Sequence, residues 1–563
     1  MTDIERFHAL KNELGRSGAR LSYRADRSRR IVEISISNSF DLIDLTPLTD
    51  FKALKTVILD NNTFTRLDLS PLKDLPMLSH LELAENDGLE MLDLSPLTNL
   101  PFLHRLIINR NSIRVLKTKP LGDMHSLVHL NLREVGGINN TNFSRRWYIY
   151  DYWNRNRYYQ DCEARGLERY ALDREDCQST LHTLDLRFLE NHPSLRYVDL
   201  SYNRGTRKYI LPRRPPAALE YIDLSVNELG SLDFRTLATP YMHEIIVKEG
   251  GLDRVSLEMD SDFKSLGKLN LSHNRLEELD LSPLEPLYNL HTLDLSRNRL
   301  KSIDLRPLEG KLNLVYLSLE SNDLRHVDLS PLKNLPRLQV LRLGDNLLET
   351  IDLSPLATVP ELRVIRLTRN RLVEVDIDPL SFCRKLQRVQ LARNRLRRLS
   401  LEPLRDIVTL EEINLDRNDF EELDISAIES MPHIDFIDLR DTTRHTKIDF
   451  TPVLTSEASW VQFDEGINIE IDPEKLKDAD IKNSSLLNDP IVEDAIDFKN
   501  NSDKLVEAKN PYIATRAIQE NMDLDELLIL RFIENRPEVA SMLSRRINEL
   551  KRMQEQEKKK NKS

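Results

Sequence analysis

A repeat of fixed length runs through the sequence, and this period constrains the fold more than any single residue does. Seven asparagines lie 24 residues apart, and each ends a stretch of the form Leu-x-x-Leu-x-Leu-x-x-Asn: Asn274, Asn298, Asn322, Asn346, Asn370, Asn394 and Asn418. A period of about 20 to 30 residues is typical of a solenoid, in which each unit buries its apolar face only by stacking on its neighbours. The chain is therefore predicted to build a long surface, which favours binding over catalysis.

The repeat at residues 314–337 shows how one unit is expected to fold. Leu314, Leu317 and Leu319 alternate with polar residues as in a short strand, so the leucines point into a core and the residues between them face outward. Outward residues of successive strands would lie about 4.8 Å apart, and these columns form the expected ligand face. Asn322 stands where the chain leaves the strand, and its buried amide needs backbone partners. We therefore interpret the asparagines as structural.

The second half of each unit carries the segment Asp-Leu-Ser-Pro-Leu, which occurs intact at 68–72, 93–97, 280–284, 328–332 and 352–356. Serine followed by proline is typical of an N-cap and a first helical position. A short helix or 3₁₀ turn is expected to follow and to carry the next leucines into the core.

The aspartate of this segment recurs at the same place in nine repeats: Asp44, Asp68, Asp93, Asp280, Asp304, Asp328, Asp352, Asp376 and Asp424. Like charges stacked about 5 Å apart repel each other unless something compensates. We hypothesise that each carboxylate accepts hydrogen bonds from the backbone of its own turn or pairs with a neighbouring Lys or Arg. Calcium binding is the rival explanation, but the glycine-rich spacing of calcium-binding β-rolls is missing.

These residues resemble the leucine-rich repeat family, whose LxxLxLxxNxL consensus is met from Asn274 to Asn418 and more loosely back to Ile31. Sixteen candidate repeats start at Ile31, Leu54, Leu78, Leu103, Leu127, Leu195, Leu219, Met242, Leu266, Leu290, Leu314, Leu338, Leu362, Leu386, Leu410 and Ile434. The resemblance implies an α/β solenoid, a horseshoe or superhelix with a concave parallel β-sheet and short helical or 3₁₀ turns on the other side. It also implies protein recognition as the usual function. Four repeats replace the asparagine and are expected to have irregular turns: Ser39, Val135, Gly250 and Thr442.

The repeat pattern divides the chain into four segments. Residues 1–30 are predicted to form an N-terminal cap, residues 31–454 the solenoid with an insertion at about 137–180, residues 455–522 a C-terminal cap with an acidic, partly disordered linker, and residues 523–563 an amphipathic helical tail with a basic end. The helix of the N-terminal cap is predicted from Ile4, Phe7, Leu10 and Leu14, which fall on one helical face. The tail helix could pack on the solenoid or dock on a partner.

The insertion interrupts a single repeat. The leucine expected at Gly137 is delayed to Leu181, and the difference, 181 minus 137, is 44 residues. Tyr, Trp and Arg dominate interface hot spots, and the insertion supplies nine such candidates: Trp147, Tyr148, Tyr150, Tyr152, Trp153, Arg155, Arg157, Tyr158 and Tyr159. The alternative is that these side chains fold against the solenoid as a local core, since large exposed apolar patches are rare. Cys162 and Cys177 are interpreted as free thiols because no further ligand follows at metal spacing.

The outward strand positions change character along the chain. An acidic stretch flanked by tyrosines comprises Tyr197, Asp199, Tyr221, Asp223, Asp294 and Tyr316. A basic sector follows and comprises Arg342, Arg363, Arg366, Arg369, Arg388 and Arg393. Such a split would orient a partner of complementary charge, although any single charge is better explained as ordinary solvated surface.

Composition narrows the class of protein. The net charge of −12 argues against nucleic acid as the main partner, and three cysteines in 563 residues are too few for the disulfide caps of secreted repeat proteins. The sequence has no apolar signal segment and no apolar run long enough to cross a bilayer, so no membrane association is predicted and the expected location is cytoplasmic. No phosphate-binding loop, nucleophile elbow, HExxH helix or CxxC pair is present, so no catalytic residue, metal or cofactor is predicted.

The sequence therefore predicts a non-enzymatic scaffold or recognition subunit that binds a protein through the concave face and the aromatic insertion. The alternative is polyanion or nucleic-acid binding through the arginine-rich sector 363–398. Salt dependence would distinguish these, since phosphate neutralisation makes affinity fall steeply with ionic strength.

Overall fold

The structure is a computed structural model that describes residues 2–14, 18–39, 43–136, 181–206, 208–259, 264–442, 448–458, 460–463, 469–471, 482 and 486. The chain forms two compact units, Met1–Ile303 and Asp304–Ser563. No helix in these described stretches is long and apolar enough to cross a membrane.

The first unit contains short strands in its described part. They are β1 Arg20–Ala25, β2 Ile31–Ser37, β3 Thr56–Ile58, β4 His80–Glu82, β5 Met91–Leu92, β6 Arg105–Ile107, β7 Val115–Leu116, β8 His129–Asn131, β9 Thr183–Asp185, β10 Tyr197–Asp199, β11 Lys208–Ile210, β12 Tyr221–Asp223, β13 Gly230–Asp233, β14 Glu244–Ile246, β15 Leu252–Ser256, β16 Lys268–Asn270 and β17 Thr292–Asp294. The order β2-β3-β4-β6-β8-β10-β12-β14-β16-β17 forms a parallel sheet, one strand per repeat. The pairs β5–β7, β9–β11 and β13–β15 form separate small parallel sheets.

The second unit continues the same construction. Its described strands are β18 Tyr316–Ser318, β19 Val340–Arg342, β20 Val364–Arg366, β21 Arg388–Gln390, β22 Arg398–Ser400, β23 Glu412–Asn414, β24 Glu422–Asp424, β25 Phe436–Asp438, β26 Ile448–Asp449, β27 Trp460–Gln462 and β28 Ile469–Glu470. The order β18-β19-β20-β21-β23-β25-β27 forms a parallel sheet. The pairs β22–β24 and β26–β28 stand apart from it. A parallel sheet with one short strand per repeat confirms the predicted α/β repeat architecture.

Short helical turns complete the repeats. In the first unit the 3₁₀ helices are Thr46–Asp50, Ser70–Asp74, Ser95–Leu97, Leu186–Leu189, Phe234–Thr236 and Ser282–Leu284, and one short α-helix, α2, is Lys119–Gly122. In the second unit the 3₁₀ helices are Arg306–Leu308, Ser330–Leu332, Ser354–Thr358, Asp378–Phe382, Glu402–Leu404 and Ser426–Ser430, and the α-helix α3 is Thr451–Thr455. The predicted short helical or 3₁₀ turns are confirmed.

The predicted role of serine as the N-cap of these turns is wrong. In Ser70–Asp74 the capping residue is Leu69, whose backbone is already helical (φ −89°, ψ −1°), and it makes no side-chain capping bond. The N–H of Ser70 instead donates to Oδ1 of Asp68 at 2.9 Å. The helical conformation begins one residue earlier than a serine cap would require, and the aspartate two residues before the serine supplies the acceptor.

The aspartate column is structural, as hypothesised. Each of the nine carboxylates accepts a hydrogen bond from the backbone N–H two residues further on, at 2.8 to 3.0 Å. In one of these turns, the hydroxyl and the backbone N–H of Ser354 hold the pKa of Asp352 below its usual range. The carboxylates therefore satisfy the first backbone donors of the 3₁₀ helices, which would otherwise lack partners.

The N-terminal residues form a helix and a strand that lie against the first repeat. The helix α1, Asp3–Leu14, buries Phe7 and Leu10. The strand β1 pairs antiparallel with β2, the strand of the first repeat. The prediction of a helix here is confirmed, and its apolar face covers core that a terminal repeat would otherwise expose.

Each repeat turns at one residue with a left-handed backbone, directly before the asparagine position. Among the described residues these are, in the first unit, Asn38, Asn61, Glu85, Arg110, Glu134, Tyr202, Val226, Glu249, His273 and Arg297, and in the second, Ser321, Asp345, Arg369, Arg393, Arg417 and Asp441, with φ between 50° and 61°. The set includes the residues before Ser39, Val135, Gly250 and Thr442. The prediction of irregular turns at those four positions is therefore wrong, because the backbone keeps one conformation even where the asparagine is absent.

The asparagines bridge each repeat to the one before it. Asn346 donates from Nδ2 to the carbonyls of Leu319 and Leu343 at 2.9 and 3.1 Å, and its Oδ1 accepts from the N–H of Leu324 at 3.2 Å. Asn370 and Asn394 repeat the arrangement. The predicted structural role is confirmed: the buried amides of these three asparagines find the backbone partners that their burial requires.

The insertion does not disturb the repeat that it interrupts. Leu181, the delayed leucine, is buried, and the N–H of His182 bonds to the carbonyl of Arg114 in the preceding repeat at 3.2 Å. The strands β8 and β10, which come before and after the insertion, pair directly. The predicted re-entry in register is confirmed, while residues 137–180 lie outside the described part of the chain.

Candidate functional site

The face of each sheet that points away from the leucine core is the natural place for a binding site. In a strand such as Tyr221–Asp223 the middle residue is buried, and the first and third residues are partly exposed. We call the surface formed by these first and third residues the strand face. Because neighbouring strands pair without offset, first positions line up with first positions and third positions with third positions.

In the first unit, three rings stack on the strand face. The rings of His129 and Tyr197 lie parallel with centroids 4.3 Å apart, and those of Tyr197 and Tyr221 follow at 4.2 Å. The cause is the register, since these three residues are the first positions of β8, β10 and β12. Burial lowers the pKa of His129 to about 4 and raises the pKa of Tyr197 and Tyr221, so all three rings are neutral near pH 7. The rings form one uncharged, partly exposed aromatic strip.

The third positions of β10 and β12, beside this strip, are carboxylates that are bonded to their own turns. Oδ1 of Asp199 accepts from the N–H and the hydroxyl of Ser201 at 3.0 and 2.7 Å, and Oδ1 of Asp223 accepts from the N–H of Ser225 at 2.8 Å. Burial raises the pKa of Asp223. Asp294 holds its turn in the same way, through Ser296. These residues therefore have structural partners already, and their predicted contact with a partner protein stays a prediction.

Sequence reasoning missed part of the aromatic surface. The guanidinium of Arg133 lies 4.0 Å from the centre of the Tyr202 ring, and His129 completes the stack. The signal for His129 was present, since it occupies the same repeat position as Tyr197 and Tyr221. It was overlooked because the insertion places Tyr197 68 positions after His129 although their strands are neighbours.

In the second unit, Tyr316 and the basic sector lie on or beside the strand face. The guanidinium of Arg342 lies 5.7 Å from the centre of the Tyr316 ring. Nη1 of Arg366 lies 3.3 Å from Oε1 of Glu320. Burial leaves Nε of Arg342, Arg363 and Arg366 without a hydrogen-bond partner within the described chain.

The remaining arginines of the basic sector each have an acidic neighbour. Arg369 pairs with Asp345 at 3.2 Å, Arg388 with Glu412 at 3.5 Å and Arg393 with Asp416 at 3.3 Å. Together with Arg366 and Glu320, four of the six predicted basic residues are paired. The sector is therefore less positive than the sequence indicated, and Arg342 and Arg363 are its members without an acidic partner among the described residues.

A shallow groove of about 770 Å³ lies on the 3₁₀ side of the second unit, among the helices Ser354–Thr358, Asp378–Phe382 and Glu402–Leu404. The ring of Phe382 at its edge is 64% exposed. The groove shares no residue with the strand face.

Nine predicted partner-binding residues lie outside the described residues: Trp147, Tyr148, Tyr150, Tyr152, Trp153, Arg155, Arg157, Tyr158 and Tyr159. The predicted helical tail, residues 523–563, lies outside them as well.

Comparisons with known proteins agree with the repeat architecture. The leucine rich repeat family model matches residues 264–324, 312–372 and 360–420. No curated protein matches the sequence.

Several solved structures resemble the chain at low sequence identity. A leucine-rich repeat protein of Leptospira interrogans has 21% identity and a TM-score of 0.52, and the match covers 69% of this chain and 85% of that one. The functional domain of InlJ from Listeria monocytogenes has 18% identity and a TM-score of 0.51, with 74% of each chain covered. The plant peptide hormone receptor RGFR1, in complex with RGF2, has 17% identity and a TM-score of 0.54, with 80% and 72% covered. At this identity the likeness concerns the fold alone.

The repeat architecture and the family match together define the class of protein. The chain has the leucine-rich repeat fold throughout the described repeats, and its sequence matches the leucine rich repeat family model over residues 264–420.

Proposed function

We propose that this protein is a non-enzymatic recognition subunit or scaffold that binds a protein partner through the strand face. The observation that carries the proposal is the neutral aromatic strip of His129, Tyr197 and Tyr221 in the first unit. Stacked rings that are already held in place lose little conformational freedom on binding, and tyrosines are enriched at interface hot spots. The plant receptor of similar fold, which is in complex with RGF2, provides a further precedent.

Nucleic-acid or other polyanion binding through residues 363–398 is the second candidate, and we rank it lower. Polyanion affinity depends on unpaired positive charge along a surface. Arg366, Arg369, Arg388 and Arg393 already have acidic partners. The net charge of −12 also disfavours a polyanion as the partner.

The aromatic insertion and a cytosolic location belong to the same proposal. The insertion interrupts the repeat that carries His129, and the strands on either side of it pair directly. Its aromatic residues would therefore extend the binding surface beside the aromatic strip. Three cysteines, of which Cys383 is a buried free thiol, suit a reducing compartment.

The test is affinity purification from native extract with matched tyrosine variants. The double variant Tyr197→Ala, Tyr221→Ala removes two rings of the strip. The double variant Tyr241→Ala, Tyr288→Ala removes two exposed tyrosines from turns of the same unit and serves as the control. We expect the strip variant to retain a tenth or less of the partner that the intact chain captures, because each hot-spot aromatic contributes about 2 kcal/mol, and we expect the control to retain nearly all of it.

A third variant that lacks residues 138–180 assigns the role of the insertion, provided that its melting temperature matches the intact chain. Equal recovery by the strip variant and the intact chain would contradict the proposed anchor. Recovery of nucleic acid in place of protein, with a steep loss on raising salt, would favour the second candidate.

A further inference from the structure

Three residues in successive strands of the second unit form a cluster of hydrogen-bond donors. Ser318, Arg342 and Arg366 are the third positions of β18, β19 and β20, and each is the direct partner of the next in the parallel register. Their Cα atoms therefore lie about 4.8 Å apart from strand to strand, with side chains on the same face. We call these three residues the arginine cluster.

The cluster contains polar atoms that the protein leaves unsatisfied. Oγ of Ser318 and Nε of Arg342 and Arg366 are buried and have no hydrogen-bond partner in the described residues. Ser318 is 1% exposed, although its position in the strand predicts an outward side chain. Buried donors without partners are rare in folded proteins, and three of them side by side indicate a place for an acceptor.

The charge of the cluster points to an anion as that acceptor. Arg366 is paired with Glu320, whereas Arg342 has no acidic partner among the described residues of its unit and lies over the Tyr316 ring. Adjacent guanidinium groups repel each other, so one carboxylate for two arginines leaves a net positive charge. Guanidinium groups bind carboxylate and phosphate oxygens with paired hydrogen bonds, which makes oxyanions the ligands of choice.

The backbone between the arginines is shaped to admit this arrangement. A Cβ atom at Gly344 would lie 3.4 Å from Cγ and 3.5 Å from Nε of Arg366, and 3.1 Å from the carbonyl oxygen of Thr368. The side chain of Arg366 thus lies over Gly344 as it reaches back toward Glu320, two repeats earlier. A Cβ atom here would therefore just touch the side chain of Arg366, and a longer side chain would compete with it for space.

We propose that the arginine cluster binds one oxyanion, with the hydroxyl of Ser318 and the guanidinium groups of Arg342 and Arg366 as donors. This oxyanion is a carboxylate or a phosphate carried by the protein partner, and its assignment to the partner rests on the proposed function. The anion site itself does not depend on it.

The experiment measures binding of the anions alone to the full chain. Inorganic phosphate is followed by line broadening in phosphorus NMR and acetate by saturation-transfer proton NMR, at constant ionic strength set with chloride. Broadening of phosphate only, or transfer to acetate only, identifies which oxyanion fits. Failure of both anions to bind would mean that solvent serves the buried donors, and it would overturn the proposal.

Variants locate the binding. We expect Arg342→Gln and Arg366→Gln each to weaken anion binding at least fivefold. Arg395→Gln, which removes an exposed arginine outside the cluster, is the matched control and should change affinity less than twofold. Circular dichroism and the melting temperature of each variant check folding. Equal binding by the intact chain, the Arg342→Gln variant and the Arg366→Gln variant would place the anion elsewhere and overturn the assignment.

The same variants separate this inference from the proposed function. If Arg342→Gln loses anion binding and also captures less partner, both the site and its place in the interface are supported. If it loses anion binding and captures the partner as well as the intact chain does, the anion site is supported. The proposal that the protein partner carries the bound oxyanion is then overturned.

Discussion

The left-handed residue before each asparagine position shows how the stack imposes a conformation that individual residues disfavour. Val226 adopts φ of 55° although it is β-branched, and its N–H bonds to the carbonyl of Lys248 at 2.8 Å. Left-handed backbone in such a residue is strained by about 1–2 kcal/mol. Hydrogen bonds with the neighbouring repeats hold Val226 in this left-handed conformation, so the folded protein retains the strain.

Replacing Val226 with asparagine should therefore stabilise the first unit. Asparagine tolerates left-handed backbone, so we expect Val226→Asn to raise the free energy of unfolding by about 1 kcal/mol. The reciprocal change Asn61→Val, at a residue with φ of 57°, should lower it by a similar amount. Urea denaturation of both variants measures the two effects, and a neutral or destabilising Val226→Asn would contradict the assignment of strain.

Burial of one carboxyl group predicts an unusual pH dependence. Burial raises the pKa of Asp60 to about 7, and the neighbouring Glu82 and Glu85 act in the same direction. Between the usual pKa of an aspartate and this value, the folded protein holds a proton that the unfolded chain has lost. Stability from this group therefore falls as pH rises from about 4 to about 7.

Asp60→Asn should remove this dependence, because its Oδ1 still accepts from the N–H of Ala84 but cannot ionise. We expect the variant to match the intact protein near pH 4 and to exceed its free energy of unfolding above pH 7 by on the order of 2–4 kcal/mol. Denaturant titrations at pH 4.5, 6 and 8 measure this difference. Asp68→Asn is the control, since the pKa of Asp68 is lowered by Ser70 and its contribution is lost only in acid. An unchanged pH profile in Asp60→Asn would show that Asp60 ionises normally.

At the scale of the element, the 3₁₀ turns show which features a sequence pattern predicts and which it does not. The Asp-Leu-Ser-Pro-Leu segment predicted a short helix with proline in its first turn, and the structure contains one. The pattern assigned the cap to serine because serine commonly caps α-helices. The preceding leucine is already helical, so the aspartate makes the bond. The sequence pattern thus predicted the short helix correctly and the residue that caps it incorrectly.

The capping role of the aspartates can be tested at Asp352. Its Oδ1 accepts from the N–H of Ser354 at 2.8 Å. We expect Asp352→Ala to lower the free energy of unfolding by roughly 0.5–1 kcal/mol, the lower part of the capping range because the side chain is exposed. Asp352→Asn, which keeps the acceptor, should lie closer to the intact protein.

Glu349→Ala removes an exposed carboxylate from the same repeat and controls for charge. Thermal unfolding monitored by circular dichroism ranks the three variants. Equal loss in Asp352→Ala and Glu349→Ala would mean that charge, not the cap, carries the effect.

At the scale of the whole molecule, the repeats were predictable and the binding surface only partly so. The 24-residue period determines strand, turn and core positions, because each follows from burial of leucines at fixed spacing. The ion pairs of Arg366 and Arg393 with Glu320 and Asp416 join residues from different repeats. Side-chain reach across strands does not follow from the period, so the arginines were predicted without their partners.

The period itself predicts a tolerated deletion. Removing residues 338–361, one complete repeat, would bring Asn370 into the place of Asn346, with the carbonyl of Leu319 as acceptor. We expect this variant to fold with a single cooperative transition and a lower melting temperature, because nearest-neighbour contacts carry the stability. Removing residues 338–349, half a repeat, breaks the register and should abolish the transition. Circular dichroism melts of both deletions measure this, and similar behaviour of the two would contradict a register-based core.

The asparagine bridges give the chain a direction. Every side-chain bond of Asn346, Asn370 and Asn394 is made to residues earlier in the sequence, two, three, 22 or 27 positions back. The backbone N–H of Asn346, in contrast, bonds to the carbonyl of Arg369 in the following repeat at 3.2 Å. Removing the N-terminal repeats would leave the side-chain amide of the first remaining asparagine without its acceptor in the preceding repeat. Removing the C-terminal repeats would instead leave backbone N–H groups of the last remaining repeat without acceptors, so the two ends of the stack differ in the polar groups that they expose.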